Sequence, residues 1–280
     1  MGEANPEIGI EILADGLRTN VLDSGADPGG GVVLLLHGSG PGVSAWSNWR
    51  LAIPALSERF RVIAPDIAGF GYTERDGRPT TMSAWTSHAV GVLDALGIES
   101  AHVVGNSFGG TLALSLAIRH PERVRRLALM GSVGAPFEIT PGLDAVWGYE
   151  PSVEAMDALI DLFAYDRSKL PTDLAEVRYR ASIRPGVQES YAPMFPAPRQ
   201  QALDAVTQNA DDLAAVAHET LIVHGREDRI IPLSAGISLF ELIPNSQLHV
   251  FGKCGHWTQI EHASRFNRLL RSEEHTSELQ

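Results

Sequence analysis

Three turns carry the residue types that nucleophilic catalysis needs. The first, Gly105-Asn106-Ser107-Phe108-Gly109, fits the pattern G-x-S-x-G. Glycines are required there because a turn so tight has no room for side chains beside the serine. The hydroxyl then projects at a helix N-terminus, where the dipole favours a developing anion. The second turn, His224-Gly225-Arg226-Glu227-Asp228-Arg229-Ile230-Ile231-Pro232, supplies an acid, with Asp228 better placed than Glu227 at its crest. The third, Gly252-Lys253-Cys254-Gly255-His256-Trp257, presents His256 as a base. Each has a bland alternative: a plain Gly/Ser turn, an Asx turn or helix cap, and a hydrogen-bonded surface histidine.

Taken together, they form a working set. A serine hydroxyl is a poor nucleophile at its free pKa and needs a neighbouring base. His256 would take the proton, while Asp228 would fix the imidazole tautomer and stabilise the cation that forms. Preorganised donors would hold the resulting oxyanion, at about 3 kcal/mol each. The backbone N–H of Phe108 is one candidate. The loop His37-Gly38-Ser39-Gly40-Pro41-Gly42 supplies the other, and its glycines let the backbone approach a substrate. No Gly-Lys-Ser/Thr follows, so this loop is not a phosphate cradle.

These turns need strands behind them. Short apolar runs predict buried strands at Val32–Leu36, Val62–Pro65, Ala101–Val104, Val124–Met130, Thr220–His224 and Leu248–Phe251. Helical patterns lie between them, such as Met82–Leu96 with Ala84, Val90, Leu93 and Leu96 apolar, and Phe108–Arg119. Such alternation implies an α/β fold with a mostly parallel central sheet flanked by helices. The segments Ile8–Leu13 and Arg18–Asp23 predict an antiparallel edge hairpin around Asp15–Gly16. From about Gly134 to Asp212 the strand signal lapses among prolines and helical fragments such as Val153–Ala164. The chain therefore divides into a first core part (1–133), a helical lid (134–212) and a second core part (213–270).

Composition sets the bounds. The 280 residues are 44% apolar and 20% charged, a globular balance rather than a disordered one. A formal net charge of −12 argues against a nucleic-acid partner, whose phosphates need clustered Lys and Arg. The single cysteine, Cys254, excludes an internal disulfide and cysteine-rich zinc sites, and reads as a small buried hydrophobe. No apolar run approaches the roughly 20 residues of a membrane span. The opening MGEANPEIGI has no signal-peptide character, and Pro6 stands where myristoylation wants Ser or Thr. The expectation is a soluble, cytoplasmic protein with no membrane partner. The last ten residues, RSEEHTSELQ, break the preceding helical pattern and resemble translated sequencing-adapter read-through, so 271–280 are read as a non-native tail. Without that tail's one Arg and three Glu the net charge is still −10.

The motifs HGSGPGVSAWSNW, PDIAGFGYT, GNSFGG, HGREDRIIP and CGHW together resemble the meta-cleavage product hydrolases. These are carbon–carbon bond hydrolases of the α/β-hydrolase superfamily, which act in bacterial aromatic degradation. The resemblance runs from about Ile8 to Leu270 and is greatest to the 2-hydroxymuconic semialdehyde hydrolase branch. It implies an α/β-hydrolase fold and a triad of Ser107, Asp228 and His256, in the chain order of that fold. Ser39 and Phe108 match the oxyanion positions through their N–H groups. Asn48 and Asn106 match polar residues near the dienol and carboxylate end of the substrate. Arg178 matches the arginine that binds the substrate carboxylate, with Arg180 the weaker candidate, and Trp257 matches an aromatic residue beside the substrate. An arginine suits that task because its planar fork can hold a carboxylate bidentately.

The implied reaction converts a 2-hydroxy-6-oxo-hexa-2,4-dienoate to its keto form; water or the serine then attacks C6 and the C5–C6 bond breaks. The ketonised chain serves as electron sink, so neither metal nor organic cofactor is implied. A homo-oligomer, a dimer or larger, is implied as well. A carboxylesterase or lactonase would use the same triad. Haloalkane dehalogenases and epoxide hydrolases carry Asp where Ser107 stands, and a non-catalytic ligand-binding relic has no need of all three triad residues. Asp66 reads as a structural cap for the loop Ile67–Tyr72, and Phe137, Phe163, Phe195 and Trp147 as either pocket lining or lid packing.

Overall fold

In a computed structural model that describes residues 5–77 and 80–272, the apolar runs become one eight-stranded sheet. The strands are β1 (Ile10–Ala14), β2 (Leu17–Asp23), β3 (Val32–Leu36), β4 (Arg61–Pro65), β5 (Ala101–Asn106), β6 (Val124–Met130), β7 (Thr220–Gly225) and β8 (Ser246–Phe251). Their order is β1-β2-β4-β3-β5-β6-β7-β8. The hairpin β1–β2 is antiparallel and adds antiparallel to β4, whereas β3 to β8 all run parallel. Register then decides where chemistry can sit. Leu36 pairs with Gly105, Asn106 with Met130 and Gly225 with Phe251, so the C-terminal strand ends form one crest.

Alternation of side chains buries both faces of the sheet. Leu34, Leu36, Val103, Leu127, Leu129 and Ile222 join the core beneath the helices Met82–Ala95, Phe108–Arg119 and Leu233–Leu242. Val33, Leu35, Val104, Ala128, Leu221 and Val223 face the helices Ala45–Trp49, Ile53–Ser57 and Ala263–Arg271. Each such side chain removed from water stabilises the fold by roughly 1.5–3 kcal/mol before entropy is counted.

The helix Met82–Ala95 centres its inward face on Trp85, while Leu93 from its apolar pattern is buried and Val90 and Leu96 pack at the margin of the core. Trp85, Ala89, Val92 and Leu93 are buried, while Ala84, Val90 and Leu96 are only partly covered. The Trp85 ring takes that side inward, and its indole N–H donates to Ala68 O at 3.0 Å.

Between β6 and β7 lie the helices Pro141–Trp147, Val153–Phe163, Leu174–Ser182, Val187–Tyr191, Arg199–Val206 and Ala210–Ala214, and among the described residues no strand. Side-chain caps open three of them: Thr140 accepts from Leu143 N–H, Ser152 from Ala155 N–H and Asn209 from Asp212 N–H. Met156, Leu159, Ile160 and Phe163 make a buried stripe at helical spacing along the second. Thr140 Oγ1 also donates to Ile230 O at 2.7 Å, which ties this insertion to the turn after β7. The last described helix runs to Arg271, one residue into the tail expected to be non-native, and Arg271 pairs with Glu58 at 2.8 Å. Residues 273–280 of that tail lie outside the described residues.

Candidate active site

Ser107 stands at the crest where β5 gives way to the helix Phe108–Arg119, with φ +54° and ψ −117°. A non-glycine residue in such a backbone region costs on the order of 1–3 kcal/mol and persists only where its surroundings hold it. Here Ser107 N–H donates to Met130 O (2.9 Å), and Ser107 O accepts from Gly110 N–H (3.0 Å) and Val133 N–H (3.1 Å). The flanking glycines are steric requirements. A Cβ on Gly105 would collide with the Gly109 backbone, and one on Gly109 with the carbonyls of Leu36 and His37.

Asp228 and His256 meet from the turns after β7 and β8. His256 Nδ1–H donates to Asp228 Oδ2 at 2.7 Å, and both side chains are buried. The other carboxylate oxygen accepts from Ile230 N–H (2.8 Å) and Ile231 N–H (3.0 Å), so Asp228 is held from both sides. Glu227, the rejected alternative, points elsewhere: its Oε2 accepts from Cys254 N–H at 3.0 Å, bracing the turn that carries His256. His224 packs beneath, its Nε2 3.0 Å from Ile231 O and 3.6 Å from Asp228 Oδ2. Facing a carbonyl, that nitrogen must carry a hydrogen, and burial keeps the ring neutral by lowering its pKa.

Ser107 and His256 border one narrow cavity. Among the described residues no hydrogen bond joins the two, and such contacts are often long before substrate arrives. Ser39, Asn48, Asn106, Arg178 and Trp257 line the same space, as do Val146, Ile160 and Phe163 from the insertion. The Phe108 N–H, at the first helical position, is one of those a helix leaves without an internal partner. Ser39 is seated by the insertion, since Trp147 Nε1–H donates to its Oγ at 2.9 Å. The loop beneath Ser39 is pinned by buried His37, whose Nε2 accepts from Ile67 N–H (3.0 Å) while Nδ1–H donates to Gly38 O (2.8 Å). Burial lowers the His37 pKa to about 4, which keeps it in that neutral form.

The polar end of the cavity is unequally satisfied. Asn106 Nδ2 donates to Met130 O at 3.2 Å. Asn48 Oδ1 accepts weakly from Gly38 N–H (3.4 Å), and its buried Nδ2 has no partner. Arg178 donates to Pro41 O at 3.2 Å, and no carboxylate lines the cavity to neutralise it. Burial lowers its pKa to about 10, still far above neutrality. Arg180 is exposed and paired with Glu176, which removes it from the site.

Of the four aromatics singled out in the insertion only Phe163 lines the cavity, stacked on Trp257 at 4.7 Å and 7°. Trp147 and Phe195 stack on each other at 4.2 Å and act as packing, and Phe137 is partly buried against the core. Cys254 is buried and its thiol is pushed up to about 12 by desolvation, so it is a spacer rather than a nucleophile. Asp66 accepts from Tyr72 N–H (2.8 Å), from Ala45 N–H (2.6 Å) and from Asn20 Nδ2 (2.8 Å). It thus caps a helix as well as its own loop. The bracing roles of His37, His224 and Glu227 leave no local mark in the sequence beyond polarity next to a turn.

A larger groove opens at the opposite, N-terminal edge of the parallel strands, lined by Val33, His102, Ala128, Leu221 and Leu270 among others. It holds no linked serine, histidine and acid, so size does not mark the site. Among the described residues no group of three or more His, Cys, Asp or Glu is arranged to hold a metal. No helix there is long and apolar enough to cross a membrane.

A family profile described as the alpha/beta hydrolase fold matches residues 31–263. The 2-hydroxymuconate semialdehyde hydrolase of Pseudomonas sp. strain CF600 is 60% identical over 267 residues, 95% of this chain and 93% of that protein. The 2-hydroxy-6-oxo-2,4-heptadienoate hydrolase of Pseudomonas putida F1 is 56% identical over 271 residues, covering 96% and 97%. A variant of the meta-cleavage product hydrolase from Pseudomonas fluorescens IP01, complexed with acetates, superposes with a TM-score of 0.92. It is 55% identical, and the match covers 95% of this chain and 97% of that one.

Proposed function

The chain belongs to the meta-cleavage product hydrolases of the α/β-hydrolase fold, and from that premise we propose that it hydrolyses the C5–C6 bond of 2-hydroxy-6-oxo-hexa-2,4-dienoates bearing hydrogen or a small alkyl group at C6. The products are a 2-hydroxydienoate and a carboxylic acid. The observation that carries this reading is the pairing, in one cavity, of a Ser107–His256–Asp228 set with an arginine that forms no direct ion pair among the described residues.

The residues divide the work by position. Arg178 and the unpartnered Asn48 Nδ2 hold the carboxylate and dienol end, where an anion satisfies both. Asn106 frames the same end. His256, oriented by Asp228, moves the proton that turns dienol into ketone. Attack at C6 then develops an oxyanion facing the N–H groups of Ser39 and Phe108. Cleavage releases electrons into the ketonised chain, and the protein supplies positioning and proton transfer. Trp257 and Phe163 wall the C6 side. Residues 134–212 act as the lid, and the protein works in the cytoplasm as a homo-oligomer.

The test follows the loss of dienolate absorbance of 2-hydroxymuconic semialdehyde and its 6-methyl and 6-phenyl analogues, beside a neutral nitrophenyl ester. Wild-type protein is expected to bleach the dienoates and Ser107→Ala to abolish this. Arg178→Ala is expected to cut dienoate kcat/KM by about 100-fold, the loss of a charge-assisted contact worth roughly 2–3 kcal/mol, while sparing the ester. Good ester turnover with no bleaching would instead assign the protein as an esterase, and equal losses on both substrates would remove Arg178 from the carboxylate.

A further inference from the structure

Glu261 is a buried carboxylate that the chemistry described so far does not use. It ends the short helix Thr258–Glu261, directly after the His256 turn. Its Oε1 accepts from Gly255 N–H at 2.8 Å, the residue immediately before His256. Its Oε2 accepts from Tyr165 N–H at 2.9 Å and Asp166 N–H at 3.1 Å, just past the insertion helix Val153–Phe163. Among the described residues no cation pairs with it, so three backbone amides solvate this anion in place of water.

The two segments it joins meet at the site itself. His256 N–H donates to Phe163 O at 2.7 Å, and the Phe163 ring lies 5.7 Å from the imidazole while stacking on Trp257. Gly255 has no room for a side chain, since a Cβ there would lie 2.5 Å from Phe163 O and 2.9 Å from Tyr165 N. The backbones therefore touch, and one carboxylate locks the contact. A glutamine could not replace it fully, because its amide NH₂ would turn a donor toward at least one of the three donors.

We infer that Glu261 is a positioning residue that sets the His256 imidazole and the Phe163–Trp257 wall in one register, so that the insertion and the proton-transfer group move as a unit. This rests on the reading that Ser107 and His256 carry the chemistry.

The experiment compares wild type, Glu261→Gln, Glu261→Asp, Phe163→Ala and the Glu261→Gln/Phe163→Ala double variant. Each is measured for dienoate kcat and KM, and for the rate at which a fluorophosphonate labels Ser107, both normalised to the active sites finally labelled. Glu261→Gln is expected to lower kcat and labelling rate together by about 10- to 100-fold, as misplacement of a reacting group does, with KM changed less. Glu261→Asp is expected to recover part of the loss, and the Gln and Phe163→Ala losses are expected to be non-additive. Unchanged rates per active site, even with a lower melting temperature, would make Glu261 merely structural and overturn the inference, as would additive losses. If the Gln variant does not fold, Glu261→Asp decides by the same rates, with a loss supporting and no loss overturning. Labelling needs no dienoate, so a wild type that labels but bleaches nothing would sink the substrate reading while leaving this comparison intact.

Discussion

At the scale of single residues, the site depends on buried polar groups that exist in one protonation state. His37 accepts from Ile67 N–H, which it can do only when neutral, and its pKa is lowered to about 4 against an ordinary 6.5. A group depressed in this way leaves stability intact above pH 6.5. As pH falls from 6.5 toward 4 the unfolded chain takes up a proton that the folded one refuses, so stability is lost. Asp66 works with the opposite sign: burial raises it to about 6 despite three hydrogen bonds, so its own contribution declines as pH rises from about 4 to 6. The wild-type curve therefore mixes two opposed slopes, and a substitution is needed to separate them. His37→Gln keeps an acceptor for Ile67 N–H and cannot titrate. Its urea unfolding free energy, relative to wild type, is expected to improve by up to about 3 kcal/mol between pH 7 and pH 4.5. A difference that does not change with pH would mean His37 is not held neutral.

At the scale of elements, the tight turns decide what the serine can do. Gly109 and Gly97 make a matched contrast. A methyl on Gly109 would enter the Leu36 and His37 carbonyls, while Gly97, with φ +65°, has open space around it. Gly109→Ala is expected to cost about 3 kcal/mol or more and to slow labelling of Ser107, whereas Gly97→Ala should cost only about 1–2 kcal/mol, the left-handed penalty alone. Equal shifts in the urea midpoint would refute the steric account. The same elements show what one chain can and cannot disclose. Strands β3 to β8 were readable because a parallel sheet buries both faces and leaves short unbroken apolar runs such as Val32–Leu36. The three turns were readable because each follows such a run. The place of Trp85 at the centre of the inward face of Met82–Ala95 was not, since its indole is held by a partner, Ala68 O, that no local periodicity reveals. For the same reason the family resemblance, and not helix pattern, favoured Arg178 over Arg180; only the folded chain puts one against Pro41 and the other against Glu176. The bracing by His37, Glu227 and Glu261 escaped altogether, because each links backbone groups distant along the chain.

At the scale of the whole molecule, the cavity lies between two bodies of structure, the strand crest and the helical insertion, so a ligand there must bind both. A non-cleavable dienoate carboxylate analogue added to Ser107→Ala at a hundredfold excess over its Kd is expected to contribute about 2.7 kcal/mol, raising Tm by about 5 °C or more. The same addition to a Ser107→Ala/Arg178→Ala protein should leave Tm nearly unmoved, and an equal rise in both would show that the ligand sits elsewhere. The division of the cavity wall has a longer reach. Ser107, Asp228 and His256 all come from the crest, whereas Leu143, Val146, Met156, Ile160 and Phe163 come from one uninterrupted stretch of chain. Exchange of that stretch by recombination would refit the cavity to other substrates only if the incoming segment kept a carbonyl for His256 N–H, an indole for Ser39 and two amides for Glu261. Inheritance must therefore treat wall and reacting groups as one heirloom.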